Sequence, residues 1–281
     1  MAENLQQVKK RIKSSQSIAQ ITKAMEMIAA SKIKKAQASV ENNKAYAERI
    51  SFIVQKILAE STDLLYNLPF LNIDKNIKRK LFYVISTDKG LCGGLLANIY
   101  KQIFASVSKD DYVVTIGKKA QTFCIKNGYN VKASFLMGSS FPKYDVIYPM
   151  LKIMKDLLDK KEISSVNVIY TNFKNRIVQQ AITKSLVPIE KDKNFVNKGD
   201  HIFEPSANEV LKSLLPYYVG NIFYDMLMNA YASEQAARMS AMSNANENAK
   251  EIATSLTIIY NKSRQEKITN EILDLANGQI H

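Results

Sequence analysis

Residues 1–68 and 221–277 contain neither glycine nor proline, so every backbone breaker except Gly278 falls between Pro69 and Gly220. Stretches of that length without a breaker predict two very long helices. At 1.5 Å of rise per residue, 55 helical residues reach roughly 80 Å, more than a domain of this size spans. Helices this long bury an apolar stripe against another long helix, and the nearest candidate is the opposite end of the same chain. The expected fold is α/β: a long antiparallel two-helix coiled coil of the N- and C-terminal segments, with an inserted α/β domain of Rossmann-like type. The boundaries expected are 1–62, 63–203 and 204–281, with Asp63–Lys78 and Glu190–Phe203 as connections.

Hydrophobic residues make up 46% of the 281, yet no run approaches the roughly 18 apolar residues that span a bilayer. The first residues lack an apolar signal core, and the two cysteines, Cys92 and Cys124, are too few for a disulfide framework. A reducing cytoplasm is the compartment expected. The net charge of +13 is unevenly spread: eleven Lys and Arg face five Asp and Glu in residues 1–60, and 22 face 12 in 61–203. In 204–281 six face nine. Opposite signs on paired helices assist docking by tenths of a kcal/mol per exposed pair. The basic excess also admits a basic coiled-coil nucleic-acid-binding protein. No aromatic platform, zinc spacing or helix-turn-helix signal accompanies it, so no nucleic-acid partner is expected.

In the first arm, Leu5, Val8, Ile12, Ser15, Ala19 and Thr22 form a seam of 3–4 spacing, and Ile18, Ile21, Met25 and Ile28 form a second row beside it. Two adjacent stripes imply more than one neighbour. The second arm carries small side chains nearly all round from Ala230 to Ala253. Beyond them Ile252, Leu256 and Ile259, then Ile268, Ile272 and Leu275, return to a 3–4 apolar row suited to pairing with the start of the chain. Pro216 and Gly220 predict a kink, or a separate short helix over 207–215, before one helix over 221–277.

Between the arms, strands are expected over 80–86, 111–116, 131–135, 166–170 and 177–186, and helices over 95–106, 118–126 and 144–160. This alternation predicts a mostly parallel sheet. The loop Thr87–Gly94 sits where phosphate loops lie, but it has neither the G-x-x-x-x-G-K-[ST] nor the G-x-G-x-x-G arrangement. A tight turn that lets another backbone approach is the reading adopted. Only His201 and His281 could serve Cys92 as a base, and neither is near it in sequence. Cys92 reads as a packed thiol, with no catalytic, cofactor-binding or metal site expected.

Four segments carry a family resemblance: Ile21–Lys32 (ITKAMEMIAASK), Ser86–Leu95 (STDKGLCGGL), Ala232–Met239 (ASEQAARM) and Tyr260–Gln265 (YNKSRQ) with Ile268–Ile272 (ITNEI). Together, and in this order, they resemble the gamma subunits of F-type ATP synthases, in their bacterial form. The resemblance implies a non-catalytic central rotor shaft inside a ring of alpha and beta subunits. The insert would lie beside the epsilon subunit on the membrane c ring, at the cytoplasmic face of a bacterial inner membrane. Ion-driven rotation of the c ring would be coupled to conformational cycling of the catalytic beta subunits. Residue by residue, Lys23, Met25, Glu26, Arg264 and Gln265 match contacts to beta, and Phe203 and Glu204 match contacts to the c ring. His201 stands where another aromatic is expected, and Pro216 with Gly220 departs from the pattern. No insertion with a regulatory cysteine pair is present.

Overall fold

A computed structural model describes residues 5–60, 68, 70–71, 76–138, 140–191, 203–204 and 206–278. In chain order the elements are α1 (Leu5–Glu60), β1 (Leu81–Ile85), α2 (Leu95–Ser106), β2 (Tyr112–Ile116), α3 (Lys118–Lys126) and β3 (Asn130–Phe135). A 3₁₀ turn (Tyr144–Ile147) then leads into α4 (Tyr148–Asp159), followed by β4 (Val166–Phe173), β5 (Gln179–Val187) and α5 (Ala207–Gly278). Two long terminal helices thus enclose a mixed α/β insert. The chain divides into two compact units: the start of α1 up to Ala30 with α5 from Arg238 onward, and everything from Ser31 to Ala237.

In the first unit the helices pair antiparallel, and burial marks their seam. Val8, Ala19, Thr22 and Ala29 are buried on α1, with Leu5, Ile12 and Ser15 half-buried, as the 3–4 spacing requires; Met242, Asn246, Ala249 and Leu256 are buried on α5. From Arg264 to Leu275 every α5 side chain is exposed. Of the apolar row expected to pair with the start of the chain, Leu256 is buried, whereas Ile268, Ile272 and Leu275 are exposed among the described residues.

The second unit is built on a five-stranded sheet of order β3-β2-β1-β4-β5, parallel except for antiparallel β5 at one edge. Strand alternation divides its core. Phe82 and Val84 face α2 and α3 with Ile99, Ile103 and Cys124. Leu81, Tyr83 and Ile85 face the other way, in a larger cluster with Met150 and Met154 of α4, Val54 and Ile57 of α1, and Phe223 and Leu227 of α5. The buried Tyr83 hydroxyl donates to the Met150 carbonyl at 2.6 Å, and burial holds its pKa well above the usual phenol range.

α5 runs unbroken through Pro216, so of the expected alternatives the separate short helix over 207–215 does not form. Pro216 withholds one N–H from the carbonyl of Lys212, but both residues are exposed, so water serves that carbonyl. Gly220 marks close packing rather than a break. A Cβ there would lie 2.8 Å from the Tyr144 hydroxyl and 3.1 Å from Leu151 Cδ1.

One carboxylate in this unit is poorly solvated. Asp225 on α5 has its pKa raised by burial, an effect that Lys184 of β5 opposes, and Asn229 Nδ2 donates to its Oδ2 at 3.1 Å. A carboxyl whose folded pKa exceeds its unfolded one contributes stability at low pH that is lost as pH rises through the folded value. Asp225→Asn is therefore expected to raise the Tm of the chain at pH 7. The gain should disappear in melts below the ordinary carboxylate range; an equal gain at both pH values would count against this linkage.

Candidate functional site

The exposed half of the coiled-coil unit is where most of the expected contact residues lie. Lys23 and Glu26 share one turn and form an ion pair of 3.1 Å, with Lys23 exposed and Glu26 half-buried. An exposed i,i+3 pair contributes only tenths of a kcal/mol, so it orients two charges without stabilising the helix much. Met25 is half-buried beside them. The larger feature is the row of Ile18, Ile21 and Ile28, all on one side of α1 and all about half exposed, at 48%, 59% and 57%. The second apolar stripe read from the sequence therefore has no partner helix among the described residues, since the α5 seam takes up the first. Arg264 and Gln265 are exposed on α5, and the Gln265 carbonyl accepts the Thr269 hydroxyl at 2.9 Å.

In the insert unit, Phe203 packs half-buried against the larger core cluster and Glu204 is exposed. His201 lies outside the described residues, as does most of both expected connections.

The glycine-containing loop after β1 has a structural task that the sequence reading had not identified. Gly117, directly before α3, has φ +104°, which no ordinary N-cap residue adopts, and it offers no side chain. The cap comes from a distant segment instead. The first three N–H groups of α3 are taken in turn by Asp88 Oδ1 (Lys118 N, 2.9 Å), the Thr87 carbonyl (Lys119 N, 3.1 Å) and Ser86 Oγ (Ala120 N, 2.9 Å). Asp88 also accepts from the backbone of Met137 at 3.3 Å and Gly138 at 2.7 Å, tying the ends of β1, β2 and β3 together. The helix terminus that would have held an anion already holds this chain's own carboxylate. Cys92 is buried and packs with the α2–α3 core, and burial pushes the Cys124 thiol up to about 11, so the Cys124 thiol stays protonated at neutral pH. Among the described residues no group of three His, Cys, Asp or Glu is placed to hold a metal, and no helix is long and apolar enough to cross a membrane.

Asp88→Ala removes three charge-assisted bonds and leaves three backbone donors to water. It is expected to cost about 2–4 kcal/mol in urea unfolding, with Asp88→Asn intermediate. Equal stability of Asp88→Ala and the parent chain would contradict the capping role.

Residues 4–279 match the family model described as ATP synthase. The chain is 36% identical over 280 residues to the ATP synthase gamma chain of Ruthia magnifica subsp. Calyptogena magnifica, covering 97% of each protein. It is 36% identical over 281 residues to that of Dehalococcoides mccartyi strain BAV1, covering 98% of each. In fold it is similar to a chain of the Euglena gracilis mitochondrial ATP synthase OSCP/F1/c-ring structure, with TM-score 0.73, 15% identity, and coverage of 98% of this chain and 93% of that one. It is also similar to a chain of the Tetrahymena thermophila mitochondrial ATP synthase central stalk/c-ring structure, with TM-score 0.61, 24% identity, and coverage of 80% and 99%. From paired terminal helices with a mixed sheet inserted between them in the chain, and from relatives alike along nearly their whole length, this chain belongs to the ATP synthase gamma chain family.

Proposed function

We propose that this gamma subunit works as the central rotor shaft of an F-type ATP synthase, making no bond itself and transmitting torque to catalytic sites on beta subunits. The observation that carries the mechanism is the exposed apolar row Ile18, Ile21 and Ile28 beside the buried seam. A helix pair with one stripe satisfied and a second open is suited to enclosure by further subunits. Because the row occupies one side of α1 only, a surrounding ring of like subunits meets a different surface at each position. Differential contact with open and closed conformations then shifts their populations in turn as the shaft rotates.

In this reading Lys23, Met25 and Glu26, with Arg264 and Gln265, meet beta subunits. Phe203 and Glu204 meet the polar loops of the c ring, and the insert lies beside epsilon. The partners are the alpha and beta subunits, epsilon and the c ring. The shaft is held at the cytoplasmic face of a bacterial inner membrane through the complex alone. The division 1–62, 63–203 and 204–281 then separates the two shaft segments from the insert.

The test is reconstitution of the full chain with alpha and beta subunits. The expected result is sustained ATPase that requires this chain, together with stepwise rotation of a bead attached to the insert while the ring is fixed. ATPase unchanged when the chain is omitted, or a bead that stays still during turnover, would defeat the proposal.

A further inference from the structure

The hairpin joining β4 to β5 holds the most exposed large hydrophobic side chain of the described residues. Ile177 is 89% exposed and its neighbour Val178 is 47% exposed. An aliphatic side chain so open usually sits on a loose loop, but this turn is tightly bonded. Asn175 Oδ1 accepts from the backbone N–H of Ile177 at 2.9 Å and of Val178 at 2.7 Å, and Asn175 N–H donates to the Val178 carbonyl at 3.3 Å. Gln179 Nε2 adds donations to the carbonyls of Asn175 at 3.2 Å and Arg176 at 3.0 Å. The tip therefore presents Ile177 in a fixed direction, which reduces the ordering cost of any contact it makes.

Charge narrows the kind of contact. Residues 163–189 contain no Asp or Glu, while Lys174 and Arg176 both precede Ile177 within three residues and Lys184 follows along β5. Lys174 and Arg176 are both exposed. An exposed aliphatic tip beside two cations fits an apolar pocket rimmed by carboxylates. Two cations without an aromatic or amide group for base contact are a poor footprint for nucleic acid, and two aliphatic side chains on a rigid turn are too little to enter a bilayer.

We propose that the β4–β5 hairpin tip is a docking site for a protein partner, with Ile177 filling an aliphatic pocket whose rim supplies Asp or Glu to Lys174 and Arg176. The proposal goes beyond the shaft reading and rests on it only for the sample in which it is tested.

The test places the photo-crosslinker p-benzoylphenylalanine at position 177 of the full chain within the assembled, purified complex, with the same probe at exposed Lys126 as a control. The expected adduct is on a protein segment carrying at least two carboxylates within a turn of the crosslink. Its yield should fall roughly tenfold with Lys174→Glu and Arg176→Glu together, and several-fold with Asn175→Ala, which keeps the probe at position 177 but frees the turn. Adduct no greater than at position 126, an adduct on lipid or nucleic acid, or yields indifferent to charge reversal would each overturn the docking site. Failure of the unsubstituted chain to co-purify with alpha and beta subunits counts against the shaft reading instead, and the same crosslink series in the free chain's co-purifying partners then decides the docking site.

Discussion

Gly117→Val is expected to unfold the insert unit or leave it only marginally stable. A Cβ at position 117 would lie 2.4 Å from the Ser86 carbonyl oxygen and 2.7 Å from both the Ser86 carbonyl carbon and Oγ. Two of those atoms are backbone, held by the Ser86 N–H to Ile116 carbonyl bond of 2.7 Å, so no rotamer change relieves the overlap. The φ of +104° adds strain that only glycine escapes. Overpacking and left-handed strain together come to about 3–5 kcal/mol, comparable to a large share of a domain's net stability. Urea unfolding followed by circular dichroism reads this directly. Gly90→Ala is the matched control, since a Cβ there meets nothing within 4 Å. Equal midpoints for the two variants would show that the β1–α3 junction tolerates rearrangement.

The second large effect belongs to the assembled complex. Ile21→Asp combined with Ile28→Asp should leave the isolated chain within about 0.5 kcal/mol of the parent, because both side chains are mostly in water there. Burying each against a neighbouring subunit is worth about 1.5–3 kcal/mol, so the pair withdraws several kcal/mol of contact and buries two charges besides. Chain-dependent ATPase in the reconstituted system is expected to fall more than about 100-fold at limiting chain concentration. Activity within twofold of the parent would mean that this row of isoleucines does not face the ring.

Much of the architecture is legible in the residues because it rests on local periodicity. The seam from Leu5 to Thr22, the helix over Leu95–Ser106 and the helix over Lys118–Lys126 are all set by which side chains recur on one face. What stayed hidden depends on partners far apart in sequence. Ser86, Thr87 and Asp88 cap a helix some thirty residues onward, and no pattern within either segment signals it. Pro216 and Gly220 looked like punctuation because their exposed carbonyl and the approaching Tyr144 are visible only in three dimensions. Leu256 is buried while Ile268, Ile272 and Leu275 of the same apolar row are exposed, a difference that periodicity does not measure. Of the contact residues, the side chains show which are exposed, while their partners come from the family resemblance.

The exposed stretch of α5 from Arg264 to Leu275 carries a cost for biogenesis. Twelve successive residues with every side chain open are near the limit at which a helix persists in water, and they display Ile268, Ile272, Leu273 and Leu275. Newly synthesised chains are thus most exposed to clumping and proteolysis at this end, before companions arrive. Supply of the surrounding subunits should set how much of this protein a cell retains.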